Sequence, residues 1–329
     1  MAGFKNILGH EKVIESLQNA LLLDKVSHAY IFEGEDGSGK MTTAEAFALA
    51  LQCEKGGKEG CMECNSCRQA MTRNNPDIIY LQPTKEKIIS VDDIRHQINE
   101  DVSIKPYSSK YKIYIINNAE RMNEAAQNAL LKTIEEPPAY VVILLLTTNR
   151  EVFLPTIRSR CVTMQMHPVA DELISNYLQT VLGVDEQQAA ICTAFAQGNV
   201  GKAAILSGSE DFAEIKMSTV QLMKRIREID LYECTQAIKQ ICEYKLRISD
   251  YFDLMVIWFR DVLVYKATSD ANRLVFQDEV YDIRKQAGIS SYEGIQKIID
   301  AIMTAKTRIN SNVNLELSIE LMLLTIKEN

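Results

Sequence analysis

A mainly parallel α/β domain followed by helical domains is the fold class that three features of the chain predict. Short, almost wholly apolar runs alternate with stretches of helical spacing through the first half. A glycine-rich stretch of phosphate-loop form, "GEDGSGKMT" at 34–42, joins the first of those runs to a helix. Beyond about residue 168 strand-like runs largely stop, and helix follows helix. Strand and helix in alternation give a sheet covered on both faces, which accounts for runs that are apolar throughout rather than at every second residue.

In chain order, "HAYIFEG" (28–34) reads as the strand entering the glycine-rich loop and "MTTAEAFALALQC" as the helix leaving it. "DIIYLQP" (77–83), "YKIYIINN" (111–118) and "YVVILLLTTN" (140–149) are further strands. "SVDDIRHQINEDVS" and "MNEAAQNALLKTIEE" are the helices between them. In the second helix Ala129, Leu130 and Ile134 pack on the sheet, and Pro137 and Pro138 end it. Asn123 and Gln127 fall on its exposed polar face. Later, "ILSGSEDF" (205–212) breaks the helical pattern with Gly and Ser. The expected domains are 1–167 (α/β), 168–207 (small and helical) and 208–329 (a larger helical bundle).

The bulk numbers bound the function. The chain has 329 residues, room for two or three domains. With 47% hydrophobic and 24% charged residues it reads as a soluble globular protein. No apolar run reaches the roughly 18 to 20 residues of a membrane helix. "MAGFKNILGHEKV" lacks the apolar core of a secretory signal, so a cytoplasmic location and no membrane partner are expected. A net charge of −8 argues against a protein that wraps DNA by itself.

The phosphate loop follows G-x-x-x-x-G-K-[ST] until its last letter. Gly34, Gly37, Gly39 and Lys40 supply the turn, the backbone N–H groups and the positive charge that cradle phosphate. Met41 stands where a hydroxyl would ligate magnesium, and a thioether is a poor ligand for that hard cation. Thr42 lies one residue on, turned by about 100° around the helix. A second component is an acidic residue ending a buried strand, where it holds magnesium and readies the attacking water. Here "YKIYIINNAERM" offers Asn117 and Asn118, while Glu120 begins the next helical stretch. An amide is no general base. Phosphate binding stays open; magnesium-dependent hydrolysis does not fit.

Eight cysteines in a chain of this kind argue against disulfides. Cys161, Cys192, Cys234 and Cys242 are scattered and read as core side chains. Cys53, Cys61, Cys64 and Cys67 form C-x7-C-x2-C-x2-C, the spacing of a tetrahedral thiolate site for structural zinc. No His or carboxylate ligand lies within the knot, so the site is closed rather than catalytic.

In order, "SHAYIFEGEDGSGK", the cysteine knot, "NNAERMNEAAQNALLKTIEEPP", "TTNR" and "SRC" (159–161) resemble the bacterial clamp-loader family of AAA+ proteins. The resemblance is motif by motif over about the first 205 residues; the rest fits only as a helical collar. It implies a subunit of a five-membered ring that opens a sliding clamp and loads it onto primed DNA within a DNA polymerase holoenzyme. Its partners would be gamma/tau and delta subunits, with clamp and primer-template DNA met through the assembly. The family's ATP-hydrolysing gamma/tau subunit also carries the zinc knot and SRC, so the departures discriminate. Met41, Asn117 and Asn118 break two nucleotide motifs, and in "QGNVGKAAIL" Gly201, beside Lys202, stands where the motor subunit has a sensor arginine. The chain also lacks the extra tail of the longer motor form. This pattern implies a non-hydrolysing subunit that presents Arg160 to the ATP site of its neighbour. An active ATPase and an unrelated zinc-containing adaptor remain the competing readings.

Overall fold

The computed structural model describes residues 3–85, 88–244, 247–310 and 313–329. The stretch expected to be helical from about 210 to the end includes 245–246 and 311–312, which lie outside the described residues. The chain divides into two compact units, 1–174 with 198–202, and 175–197 with 203–329.

In the first unit, α1 (Glu11–Leu22) precedes β1 (Ala29–Glu33), and α2 (Lys40–Leu51) and α3 (Asn65–Met71) follow it. Next come β2 (Ile78–Tyr80), α4 (Val91–Ile94), β3 (Lys112–Ile116), α5 (Glu124–Glu135), β4 (Val141–Thr147), α6 (Pro155–Arg158) and β5 (Val162–Gln165). The strands form one sheet in the order β2-β3-β4-β1-β5, every pair parallel. All seven residues of β4 are buried because its pleat sends alternate side chains into two cores. Val142, Leu144 and Leu146 join Phe47 and Leu49 of α2, while Val141, Ile143 and Leu145 join Leu130 and Ile134 of α5. Ala129 packs partly buried against the second core, as its helical position predicts.

The stretch read as one helix from 90 differs. A capping box closed by Ser90 and Asp93 starts α4, but a single π turn replaces α-geometry over Arg95–Asn99. That turn keeps Ile94 and Ile98 both in the core. Its Asn99 amide donates to the Ala129 carbonyl of α5 at 3.1 Å and accepts from Thr133 Oγ1 at 3.1 Å.

The remaining helices are α7 (Asp171–Thr180), α8 (Glu186–Ala196), α9 (Val200–Ser207), α10 (Glu210–Arg225), α11 (Leu231–Glu243), α12 (Ile248–Thr268), α13 (Val280–Ile289), α14 (Tyr292–Asn310) and α15 (Leu315–Glu328). The core of the second unit is built on α12, whose Phe252, Leu254, Met255, Trp258 and Val262 are fully buried. Trp258 donates its indole N–H to Gln286 Oε1 at 2.9 Å, and the Gln286 amide donates to the Met223 carbonyl at 2.6 Å. This ties α12, α13 and α10 in one register. Cys192 and Cys234 are buried as expected; Cys242 is half-buried.

Candidate functional site

Because the strands run parallel, their carboxyl ends share one edge of the sheet, where open α/β folds bind ligands. The loop after β1 lies there. Gly34 donates its N–H to the Thr147 carbonyl at the end of β4 at 3.1 Å. Gly37 and Gly39 take φ of 86° and 93°, left-handed values that free the chain to turn straight into α2. Lys40 is buried, and its ammonium reaches the carbonyls of Gly34 at 2.5 Å and Glu35 at 2.9 Å and Asp36 Oδ1 at 3.3 Å. An ammonium has three hydrogens, and three acceptors in its own loop are within reach. Thr42 is exposed. Thr43, not Thr42, turns back into the loop, donating its hydroxyl to the Gly39 carbonyl at 2.9 Å.

The outer side of the loop is covered by 198–202, in the same unit. Gly201 donates its N–H to the Gly37 carbonyl at 2.9 Å, and Asn199 Nδ2 donates to the Asp36 carbonyl at 2.7 Å. A Cβ on Gly201 would meet the Gly37 oxygen at 2.7 Å and its Cα at 2.8 Å. Only glycine lets the two backbones approach this closely. Asn199, which holds the loop through its amide, drew no notice in the sequence; one asparagine in a polar turn carries no signal.

Met41 and the strand-end amides share a cleft. Met41, Asn117 and Asn118 line one cleft of about 410 Å³ with Tyr80, Arg73 and Arg121. Asn117 is exposed at the end of β3, and Asn118 takes a left-handed φ of 50° that starts the turn Ala119–Arg121. Glu120 lies within that turn, beyond the strand end. Gln127 is corrected: it is buried, not part of an exposed face, and Asn123 is the helix cap whose side chain accepts from Ala126 N–H at 2.8 Å.

Cys53, Cys61, Cys64 and Cys67 converge, their four sulfurs all within 4.8 Å of one another. Tetrahedral zinc with bonds of about 2.3 Å puts sulfurs about 3.8 Å apart, close to the 4.0 Å between Cys61 and Cys67. The N–H groups of Cys61, Cys64 and Cys67 point at Cys53, Cys61 and Cys64 sulfur, each at 3.3 Å. Such donors favour thiolate; those of Cys64 and Glu63 pull the Cys61 thiol down to about 6. Burial pushes the Cys67 thiol up, so a cation is what would keep it ionised. The donor set fits a metal.

Ser159, Arg160 and Cys161 connect α6 to the start of β5, at the amino-end edge of the sheet, opposite the phosphate loop. Cys161 packs on the second core and burial pushes its thiol up to about 12, so it anchors the turn. The Arg160 side chain is 41% exposed. Its Nη1 donates to the Thr156 carbonyl at 3.0 Å and its Nη2 pairs with Glu135 Oε1 at 3.1 Å. The sequence gives no hint of the Glu135 pairing, since the partners lie on different elements.

Among the described residues no helix is long and apolar enough to cross a membrane. Residues 9–170 match the family described as "DNA polymerase III, delta subunit", and residues 221–328 match its C-terminal domain. The DNA polymerase III subunit delta' of Bacillus subtilis is 30% identical over 321 residues, 96% of each chain. The subunit tau of the same organism is 30% identical over 285 residues, 80% of this chain but 50% of its own. The subunit gamma of Buchnera aphidicola is 26% identical over 344 residues, 98% of this chain and 94% of its own.

Proposed function

The chain belongs to the DNA polymerase III delta' family of clamp-loader proteins, and on that premise we propose a stationary role in which ATP is hydrolysed by its neighbours. The observation that carries the reading is the cleft that Met41 lines together with Asn117 and Asn118. Phosphoryl transfer needs a cation bridging the phosphates and a group that orders the attacking water. Here the positions for both present a thioether and two amides. The engagement of Lys40 by its own loop supports the same reading: its ammonium is satisfied without phosphate. Gly34, Gly37, Gly39, Lys40 and Thr42 thus form an inherited loop that is idle in hydrolysis.

Arg160 is the group the chain offers outward. A guanidinium stays charged and can bridge two phosphate oxygens, which suits the charge that builds during γ-phosphoryl transfer in an adjacent subunit. The neighbours are gamma/tau and delta subunits, and the assembled ring acts on sliding clamp and primed DNA in the cytoplasm. Zinc on Cys53, Cys61, Cys64 and Cys67 holds the insertion in shape. Residues 208–329 serve as the collar that joins the ring, and 168–207 as a lid domain to the α/β domain of 1–167.

The purified chain, incubated with ATP and magnesium, is expected to release no phosphate above background. Met41→Thr should not create turnover, because Asn117 and Asn118 still offer no carboxylate. Turnover by the wild-type chain that Lys40→Ala abolishes would make it a motor subunit and overturn the reading.

A further inference from the structure

Two adjacent acidic residues, Glu135 and Glu136, stand at the carboxyl end of α5. Carboxylates there work against the helix dipole, which favours cations at that end. Pro137 and Pro138 stop the helix at this point and fix where those side chains start. Glu135 then meets the Arg160 guanidinium at 3.1 Å, with both side chains 41% exposed. A pair this exposed adds little to folding, so stability is a poor reason for an acid in so unfavourable a place.

We propose that Glu135 is a positioning residue for Arg160, a proposal that rests on the reading of Arg160 as a group acting on a neighbour's ATP. Free in water, an arginine samples many rotamers, and a productive guanidinium must be held near one geometry. Glu135 takes a hydrogen on Nη2 and the Thr156 carbonyl takes one on Nη1. A guanidinium has five N–H donors in a fixed plane. These anchors on its two terminal nitrogens, with Nη1 also 3.5 Å from Ser159 Oγ, set that plane and leave the remaining N–H groups for phosphate oxygens. The anchors come from separate elements, the end of α5 and the turn of α6, so the orientation is set by the packed domain rather than by the SRC loop alone.

The test is ATP turnover by the reconstituted clamp loader carrying Glu135→Gln, Glu135→Asp, Arg160→Ala, or Arg160→Ala with Glu135→Gln, with zinc content and assembly checked for each. Misplacing a reacting group by about 1 Å costs up to about a hundredfold. Glu135→Gln should therefore lower the Arg160-dependent part of kcat on the order of tenfold or more, with KM for ATP little changed and partial recovery in Glu135→Asp. In the Arg160→Ala background the same change should have no further effect, since residues acting as a unit are not additive. Full turnover with Glu135→Gln while Arg160→Ala is impaired would overturn the positioning role alone. An equal loss from Glu135→Gln with and without Arg160 would do so too. Full turnover with Arg160→Ala would instead remove the reading beneath it.

Discussion

The amide of Gln127 satisfies three backbone groups: it donates to the carbonyls of Met122 at 3.2 Å and Val152 at 3.3 Å, and accepts from Leu154 N–H at 2.8 Å. It thereby fastens α5 to the chain that leads into α6 and on to Arg160. Gln127→Leu keeps the bulk and strands those groups, each buried orphan costing about 1–3 kcal/mol. The variant should unfold at clearly lower denaturant concentration with its zinc content unchanged; a midpoint equal to wild type would show that the amide is dispensable. Gly201 illustrates the opposite economy at the residue scale. A single hydrogen atom in place of a side chain leaves room for a backbone contact that covers the phosphate loop.

Among the elements, α3 and the turn before it owe their shape to the cysteines: Cys64 is the N-cap of α3 and its sulfur accepts from Cys67 N–H. Purified protein should hold one zinc per chain, and cobalt in its place should give the intense visible bands of a tetrahedral thiolate site. Cys64→Ser should loosen the insertion and lower metal content, because structural zinc contributes to folding directly; metal-free protein prepared without chelator would refute the assignment. The start of α4 provides a pH test. Burial by itself would raise the Asp93 carboxyl. Hydrogen bonds from Thr84 and Ser90 reverse that, holding it at about 2 against an ordinary 3.8. A depressed carboxyl contributes stability above its unfolded value and loses it as pH falls through the folded one. Wild type should therefore lose stability relative to Asp93→Asn as pH drops from about 4 to 2; a difference constant over that window would contradict the assignment.

Across the whole molecule, the parallel sheet and the helical second half were legible because apolar runs and helical spacing are local signals, as was the cysteine cluster with its short, fixed spacing. Met41 and Asn117 were readable one by one, but that they share a cleft depends on β1 and β3 flanking β4, a long-range fact. The burial of Gln127, the π turn at Arg95–Asn99 and the Glu135–Arg160 pair were not legible, since each is decided by what another element brings alongside. The division into two units is equally a property of packing, not of any one stretch. The central claim, that this subunit lends an arginine and leaves its own loop idle, meets its most direct test in the reconstituted clamp loader. Clamp- and DNA-stimulated ATP turnover is measured with Arg160→Ala, Arg160→Lys and Lys40→Ala in place of the wild-type chain. An arginine supplied in trans is worth roughly 10³ to 10⁵ in rate in GTPases, and several sites share the work in a ring. Arg160→Ala should cut total turnover by a smaller but clear factor, Arg160→Lys should recover little for want of the bidentate fork, and Lys40→Ala should match wild type. Turnover that needs Lys40 and ignores Arg160 would contradict the account.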